Sequence, residues 1–326
     1  MDSITKTLIF AAVATAAFLT TQAILPFLRA RTIFDHPNER SSHDTPTPKG
    51  GGLALMAVVL AVWVATGLYL ESSAFLTWFL PGVALALAGL SWADDLHELS
   101  PITRLIAQII AVTIILLLRP TSETFFQGLL HHNLDALLAG IIWVWFINLF
   151  NFMDGIDGIT GIKTIIIGVG VALIGNGAEA MLGGILAAAA AGFLKWNWHP
   201  AKVFMGDVGS IPLGFLLGWL LLNIAGDGHW AAAIILPLYY LIDATITLIR
   251  RTLKGENLWH AHRQHFYQQA VQRGLSHAKV SSMVFFLGAL LVALAWLAEH
   301  GWPLIASSTA VALTVSFLFL LKGRPS

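Results

Sequence analysis

The feature that most limits how this chain can fold is a succession of long apolar runs joined by short polar links. Runs of span length cover 7–28, 53–70, 74–92, 102–118, 135–151, 159–175, 179–195, 208–225, 230–250, 280–298 and 303–321. About 20 apolar residues cross the hydrocarbon of a bilayer as a helix, and a helix satisfies its own backbone polar groups there. The expectation is an all-α polytopic membrane protein, a bundle of about eleven transmembrane helices. Gly and Pro inside several runs (Pro81, Gly168, Gly170, Pro237) are tolerated in such helices. Composition agrees: only 11% of the 326 residues are charged, against about 25% in an ordinary soluble domain. No internal repeat or separate soluble region breaks the series, so a single integral membrane domain is expected over 1–326. The first run, Leu8 to Leu28, lacks the basic n-region and short h-region of a cleaved signal, and is expected to remain as the first helix.

Basic residues orient the bundle, because cytoplasmic loops carry the excess of Lys and Arg. With eleven spans, sixteen of the 18 Lys and Arg residues fall on one side, leaving Lys6 and Arg119 on the other. The N-terminus is therefore expected outside and the C-terminus in the cytoplasm. The outer links are plain (Gly175–Glu179, Glu299–Trp302), whereas the five inner loops hold nearly every polar cluster. A formal net charge of zero argues against general nucleic-acid binding. The absence of cysteine excludes disulfides, thiolate metal sites and thiol nucleophiles.

The inner loops carry the chemistry. The first runs from Asp35 to His43 and then through Thr45-Pro-Thr-Pro-Lys49-Gly-Gly-Gly52. Three glycines after a lysine permit close approach to a phosphate; a Pro/Gly turn into the second helix is the plain alternative. The second loop opens with Asp94-Asp95. Adjacent carboxylates at a helix end repel one another, a repulsion that a magnesium ion relieves, and magnesium commonly takes carboxylates together with substrate phosphates. A solvated acidic cap is the alternative, made less attractive by the nearness of hydrocarbon. The third loop, Asn148 to Gly161, sets Asn151, Asp154 and Asp157 among glycines, without the alternating oxygen ligands of a calcium loop. The fourth, Phe204-Met-Gly-Asp207-Val-Gly-Ser210, places Asp207 where a helix N-cap belongs, or where a metal carrying phosphates would sit. The fifth contains His260-Ala-His262-Arg263-Gln-His265. Three histidines can bind zinc, but Arg263 among them suits a diphosphate better than a cation.

These motifs, in this order from Asp35 to Tyr267, resemble the polyprenyl-phosphate N-acetylhexosamine-1-phosphate transferase family. Asp94-Asp95, the Asn-x-x-Asp-Gly-x-Asp-Gly run at 151–158 and Met205-Gly-Asp207-x-Gly-Ser210 are specific in combination. The resemblance implies ten or eleven helices with a cytoplasmic site in a bacterial inner membrane. It implies transfer of the sugar phosphate from a UDP-N-acetylhexosamine to undecaprenyl phosphate with release of UMP. Magnesium is the implied cofactor, with manganese as its substitute, and a homodimer is allowed. By the same resemblance Asp207 is the foremost metal ligand, with Asp95 beside it; Asp94 or Asp95 deprotonates the lipid phosphate. Asn151 and Asp154 line the nucleotide side and Asp157 supports their loop. His262, Arg263 and His265 meet the donor diphosphate, with His260 among the substrate contacts and Lys49 on a phosphate. Direct attack of the lipid phosphate on the phosphorus next to the sugar is the favoured mechanism, a covalent aspartyl phosphate the rival. The peptidoglycan branch has three consecutive histidines in the last loop. Spread around Arg263, those of this chain look more like the O-antigen and surface-polysaccharide branch.

Two rivals are weighed against this reading. A magnesium-dependent intramembrane prenyltransferase would pair Asp94-Asp95-x-x-Glu98 with Asp154-x-x-Asp157, but gives no role to Asp207. An ion-coupled transporter would use Asp243 in the ninth run, and leaves the inner loops unexplained.

Overall fold

A computed structural model describes residues 2–37, 42, 45–119, 124–257 and 262–323. Helix α1 (Ser3–Ala30) begins at Asp2, whose carboxylate accepts the Thr5 N–H at 2.9 Å. Two short strands, β1 (Phe34–Asp35) and β2 (Thr47–Pro48), pair antiparallel. Then come α2 (Gly52–Tyr69), a π turn over Phe75–Phe79 leading into α3 (Leu80–His97), α4 (Pro101–Leu118), α5 (His132–Phe152), α6 (Ile159–Ile174), α7 (Gly177–Asn197) and α8 (Asp207–Gly226). The chain continues through α9 (Trp230–Ile235), α10 (Leu238–Leu253), α11 (Phe266–Gln272), α12 (His277–Glu299) and α13 (Pro303–Lys322).

Among the described residues nine segments, counting Phe75–His97 as one, are long and apolar enough to cross a membrane. This is an all-α polytopic membrane protein. The two remaining runs differ from expectation. Helix α6, with 16 residues, is only about 24 Å long. The run over 230–250 is two helices, broken between Ile235 and Leu238. Pro237 stands at the break, where it offers no N–H and its ring crowds the preceding turn. Pro81 does not break its span: the π turn over Phe75–Phe79 runs directly into α3 just before it, where the helix is widened.

Helix α8 is the hub: 89% of its span is buried, against 22% for α1 and for α4. It packs on α3 and α5, with α2, α6 and α9 around it. The Trp143 indole of α5 donates to the Phe215 carbonyl of α8 at 2.8 Å and stacks on the Phe215 ring. Small residues let helices meet closely, as expected where lipid gives no hydrophobic drive to helix pairing: Gly168 of α6 faces Gly183 of α7 with no room for a Cβ. On the outside, Leu117, Phe286, Leu304 and Leu320 are exposed, an apolar surface that suits lipid. Lys163, counted above with the inner loops, is fully buried in α6 against the rings of Tyr239 and Tyr240, at 5.7 and 5.4 Å. It anchors no loop.

Candidate active site

Four helix ends build the site. Asp94 and Asp95 are consecutive on the last turn of α3, so they point about 100° apart and meet different partners. Asp95 turns to the start of α8, where the first N–H groups have no helical acceptor. It accepts the N–H of Asp207 at 3.2 Å and of Val208 at 3.1 Å, and pairs with Lys49 Nζ at 2.8 Å. Asp94 accepts the Leu99 N–H at 2.6 Å and meets Arg104 Nη1 at 3.2 Å. Arg104, in the first turn of α4, also holds Asp207 Oδ2 at 3.0 Å. The other oxygen of Asp207 accepts from Asn151 Nδ2, at the end of α5, at 3.0 Å. Asn151 donates as well to Ser210 Oγ at 2.9 Å. Residues singled out in four separate loops thus converge, together with Arg104, which sequence reasoning counts only as a positive-inside residue. Its signal was available: an arginine at the mouth of an apolar helix, just after an acidic pair.

The geometry divides the carboxylates. The Asp95 side chain is fully buried, and both its oxygens are committed to α8 and Lys49, although it is expected beside or on a metal. Asp94 and Asp207 are the pair that faces one cation, and Asp207 keeps 21% of its side chain exposed. Their oxygen donors suit a hard cation such as magnesium. Burial alone would lower the pKa of Lys49, but Asp95 and Asp207 beside it hold it above the ordinary lysine value.

The glycines after Lys49 serve packing. The N–H of Gly51 goes to the Phe204 carbonyl and that of Gly52 to the Met205 carbonyl, both at 2.9 Å. A methyl group at Gly52 would run into the backbone of Gly209. These two N–H groups are not open to a phosphate; the run instead seats α2 against the start of α8, and so holds Lys49 beside Asp95.

The loop between α5 and α6 turns its two aspartates apart. Asp154 lies half-buried toward the acidic cluster; burial pushes it up to about 7, and the carboxylates of Asp207 and Asp95 add to the rise. Asp157 points to the other side. It meets His199 Nδ1 at 2.6 Å, His277 Nδ1 at 3.3 Å and the Ala201 N–H at 3.2 Å. Burial would raise Asp157, but the hydrogen bonds from His277 and His199 hold it below the usual carboxylate range. These three side chains could themselves hold a metal, with a nitrogen-rich donor set closer to zinc than to magnesium. The acids that a prenyltransferase would use as one pair, Asp154 and Asp157, face different ways.

His260 lies outside the described residues. His265, expected at the donor diphosphate, is buried at the start of α11, its ring 4.9 Å from that of His262 and 5.8 Å from that of Tyr267. Asp243 of α10 holds it: Asp243 Oδ1 lies 3.3 Å from His265 Nδ1 and accepts the Phe266 N–H at 3.0 Å, while Oδ2 accepts from Tyr239 Oη at 3.1 Å. The residue that a transporter would use for ion coupling is thus the anchor of α11. His262 has its pKa lowered to about 4, first by burial and then by His265 and Arg251 nearby, so its imidazole is neutral at ordinary pH. The carbonyl of Arg263 accepts from Gln272 at 2.8 Å. The α11 segment meets the loop between α5 and α6 through Tyr267, which donates to the Phe152 carbonyl at 3.3 Å and leaves no room for a side chain at Gly155.

Carboxylates, an amide and two cations gather at one end of a helical bundle in a polytopic membrane protein, a set of groups able to bind a cation and an anion side by side. A family model described as glycosyl transferase family 4 matches residues 76–225. Similar proteins include a probable undecaprenyl-phosphate N-acetylglucosaminyl 1-phosphate transferase of Bacillus subtilis, 27% identical over 94% of this chain and 87% of that one. A decaprenyl-phosphate N-acetylglucosaminephosphotransferase of Mycobacterium tuberculosis is 28% identical over 77% of this chain and 72% of its own. A phospho-N-acetylmuramoyl-pentapeptide-transferase of Picosynechococcus is 35% identical over 63% and 61%. Along most of its length the chain is thus similar to polyprenyl-phosphate N-acetylglucosamine-1-phosphate transferases.

Proposed function

We propose that the protein transfers N-acetylhexosamine-1-phosphate from a UDP-sugar to undecaprenyl phosphate at the cytoplasmic face of a bacterial inner membrane. The product starts a lipid-linked glycan such as O-antigen. The observation that carries this reading is an apolar groove of about 880 Å³ between α4 and α5, lined by Leu105, Val112, Leu116, Ile141, Val144 and Trp145 among others. It follows α5, whose 21 residues span about 31 Å. One end reaches Asn148 and Phe152, within a turn of Asn151, and Leu105 is the neighbour of Arg104. A polyprenyl tail in the groove would bring its phosphate to the cluster of Asp94, Arg104, Asn151 and Asp207.

In the reaction a lipid phosphate oxygen attacks the phosphorus next to the sugar. The bond from that phosphorus to the bridging oxygen breaks, and UMP leaves with the bridging oxygen. Magnesium, or manganese in its place, would be held by Asp207 and Asp94 and would neutralise the diphosphate. Asp95 positions Asp207 through the α8 backbone, Asn151 orients its carboxylate, and Lys49 and Arg104 supply positive charge at the phosphates. Asp154 lines the nucleotide side on a loop that Asp157 fixes. Arg263 and the neutral His262 supply donors toward the diphosphate.

The test is a transfer assay on purified protein with undecaprenyl phosphate and a panel of UDP-N-acetylhexosamines, with and without magnesium. UMP and a lipid-linked sugar that both need the metal are expected. Folded protein that releases no UMP from any donor would overturn the reading.

A further inference from the structure

We infer that Arg104 is the resident counter-cation of the acidic site: in the donor-free enzyme its guanidinium stands between Asp94 and Asp207 in the divalent cation's place, and so couples cation uptake to arrival of the donor diphosphate. The inference rests on the proposed metal role of Asp94 and Asp207.

The geometry is specific. A single nitrogen, Nη1, lies 3.2 Å from Asp94 Oδ2 and 3.0 Å from Asp207 Oδ2, so one cationic group already serves both carboxylates. The carboxylates come from α3 and α8 and the guanidinium from α4, so no helix brings all three together by itself. Lys49, the other cation, cannot play this part, because it pairs with Asp95, which is already committed to the α8 backbone. Arg104 keeps 33% of its side chain exposed and can turn outward without disturbing the core. What would draw it out is an anion of better geometry, and a diphosphate offers the planar guanidinium parallel acceptor oxygens. A divalent ion alone must displace the arginine and leave it unpaired. With a diphosphate present, the arginine trades its carboxylates for phosphate oxygens and the ion enters at less cost. The coupling is reciprocal, as any binding linkage must be.

The experiment measures Mn²⁺ binding to the full-length protein in detergent from the EPR signal of unbound Mn²⁺, with and without UDP as the diphosphate probe. Wild type should bind Mn²⁺ weakly alone and more tightly with UDP. Arg104→Gln should bind Mn²⁺ alone about tenfold more tightly than wild type, and gain little from UDP. Arg104→Lys, which keeps a cation, should stay near wild type in the absence of UDP, and a thermal melt checks that each variant is folded. Folded Arg104→Gln that binds Mn²⁺ no more tightly than wild type without UDP would overturn the inference and leave the metal assignment standing. If Asp207→Asn binds Mn²⁺ as well as wild type does, or if no variant binds it even with UDP, the metal assignment falls and the inference with it.

Discussion

Asp154 and Asp157 sit three residues apart on one short loop, yet they occupy opposite environments. Asp154 faces the acidic cluster, where burial and two other carboxylates raise it to about 7. Asp157 faces away, where two imidazoles and a backbone N–H hold it ionised. Each half of the repeated Asp-Gly therefore does a different job. One is a carboxyl whose charge is opposed by burial and by neighbouring carboxylates, and the other spends its charge locking the loop to the α7–α8 connection and the start of α12. A strained charge on one side is sustained by a satisfied one on the other. The α11 segment repeats the pattern: Asp243 is spent on seating His265 and the start of α11, and Tyr267 of that helix meets the loop at Gly155.

Substitutions can break this division of labour. The largest effect is expected at Asp207, the carboxylate shared by Arg104, Asn151 and the proposed metal. Asp207→Asn should lower transfer by about 10³-fold, the scale of removing a preorganised electrostatic group, while the melting temperature changes little. A variant with transfer within a few-fold of wild type would remove Asp207 from the centre of the chemistry. Next comes Asp243→Asn, which keeps shape but replaces one of the two oxygens that hold His265, the Phe266 N–H and Tyr239 with a donor. It should raise the apparent KM for the nucleotide sugar by about tenfold, through about 1–2 kcal/mol of lost positioning, and leave the KM for the lipid nearly unchanged. Equal changes in both would show that α11 does not act on the donor side.

Much of this arrangement was legible before the structure. Periodic apolar runs mark the helices, and acids close to hydrocarbon stand out because they are costly there. The break at Pro237 was not legible, because transmembrane helices also tolerate proline without breaking. Nor was the direction in which Asp154 and Asp157 point, since that depends on His199 and His277, 42 and 120 residues further along. The glycines at 50–52 looked like a phosphate turn because close approach to a ligand and close approach to another helix demand the same residue. Arg104 was hidden among the cytoplasmic basic residues: its role exists only where α3, α4 and α8 meet.

The smallest effects are the sharpest test of the two-sided loop, because they should have opposite signs. Asp157 has a lowered pKa in the folded protein, so its stabilisation is present above the unfolded carboxylate value of about 4 and is lost as pH falls through the folded value. Asp157→Asn keeps one acceptor oxygen and turns the other into a donor, so one of its two histidines loses its acceptor. It should cost about 1–3 kcal/mol at pH 7.5, a melting drop of about 2–4 °C per kcal/mol, and the gap to wild type should close as the pH falls below about 4. Asp154 is raised, so the sign reverses: its protonated form stabilises the fold fully below about pH 4, and that contribution is lost as pH rises through the folded value of about 7. Asp154→Asn should therefore melt about 2–4 °C above wild type at pH 8, in EDTA and without donor, with the gain shrinking steadily toward pH 4. The metal-free condition matters, since a cation beside Asp154 would remove the cost of its charge and with it the gain from asparagine. If both variants melt below wild type at pH 8 in EDTA, Asp154 is a structural acid like its neighbour, and the division of the loop into a working face and a holding face is wrong.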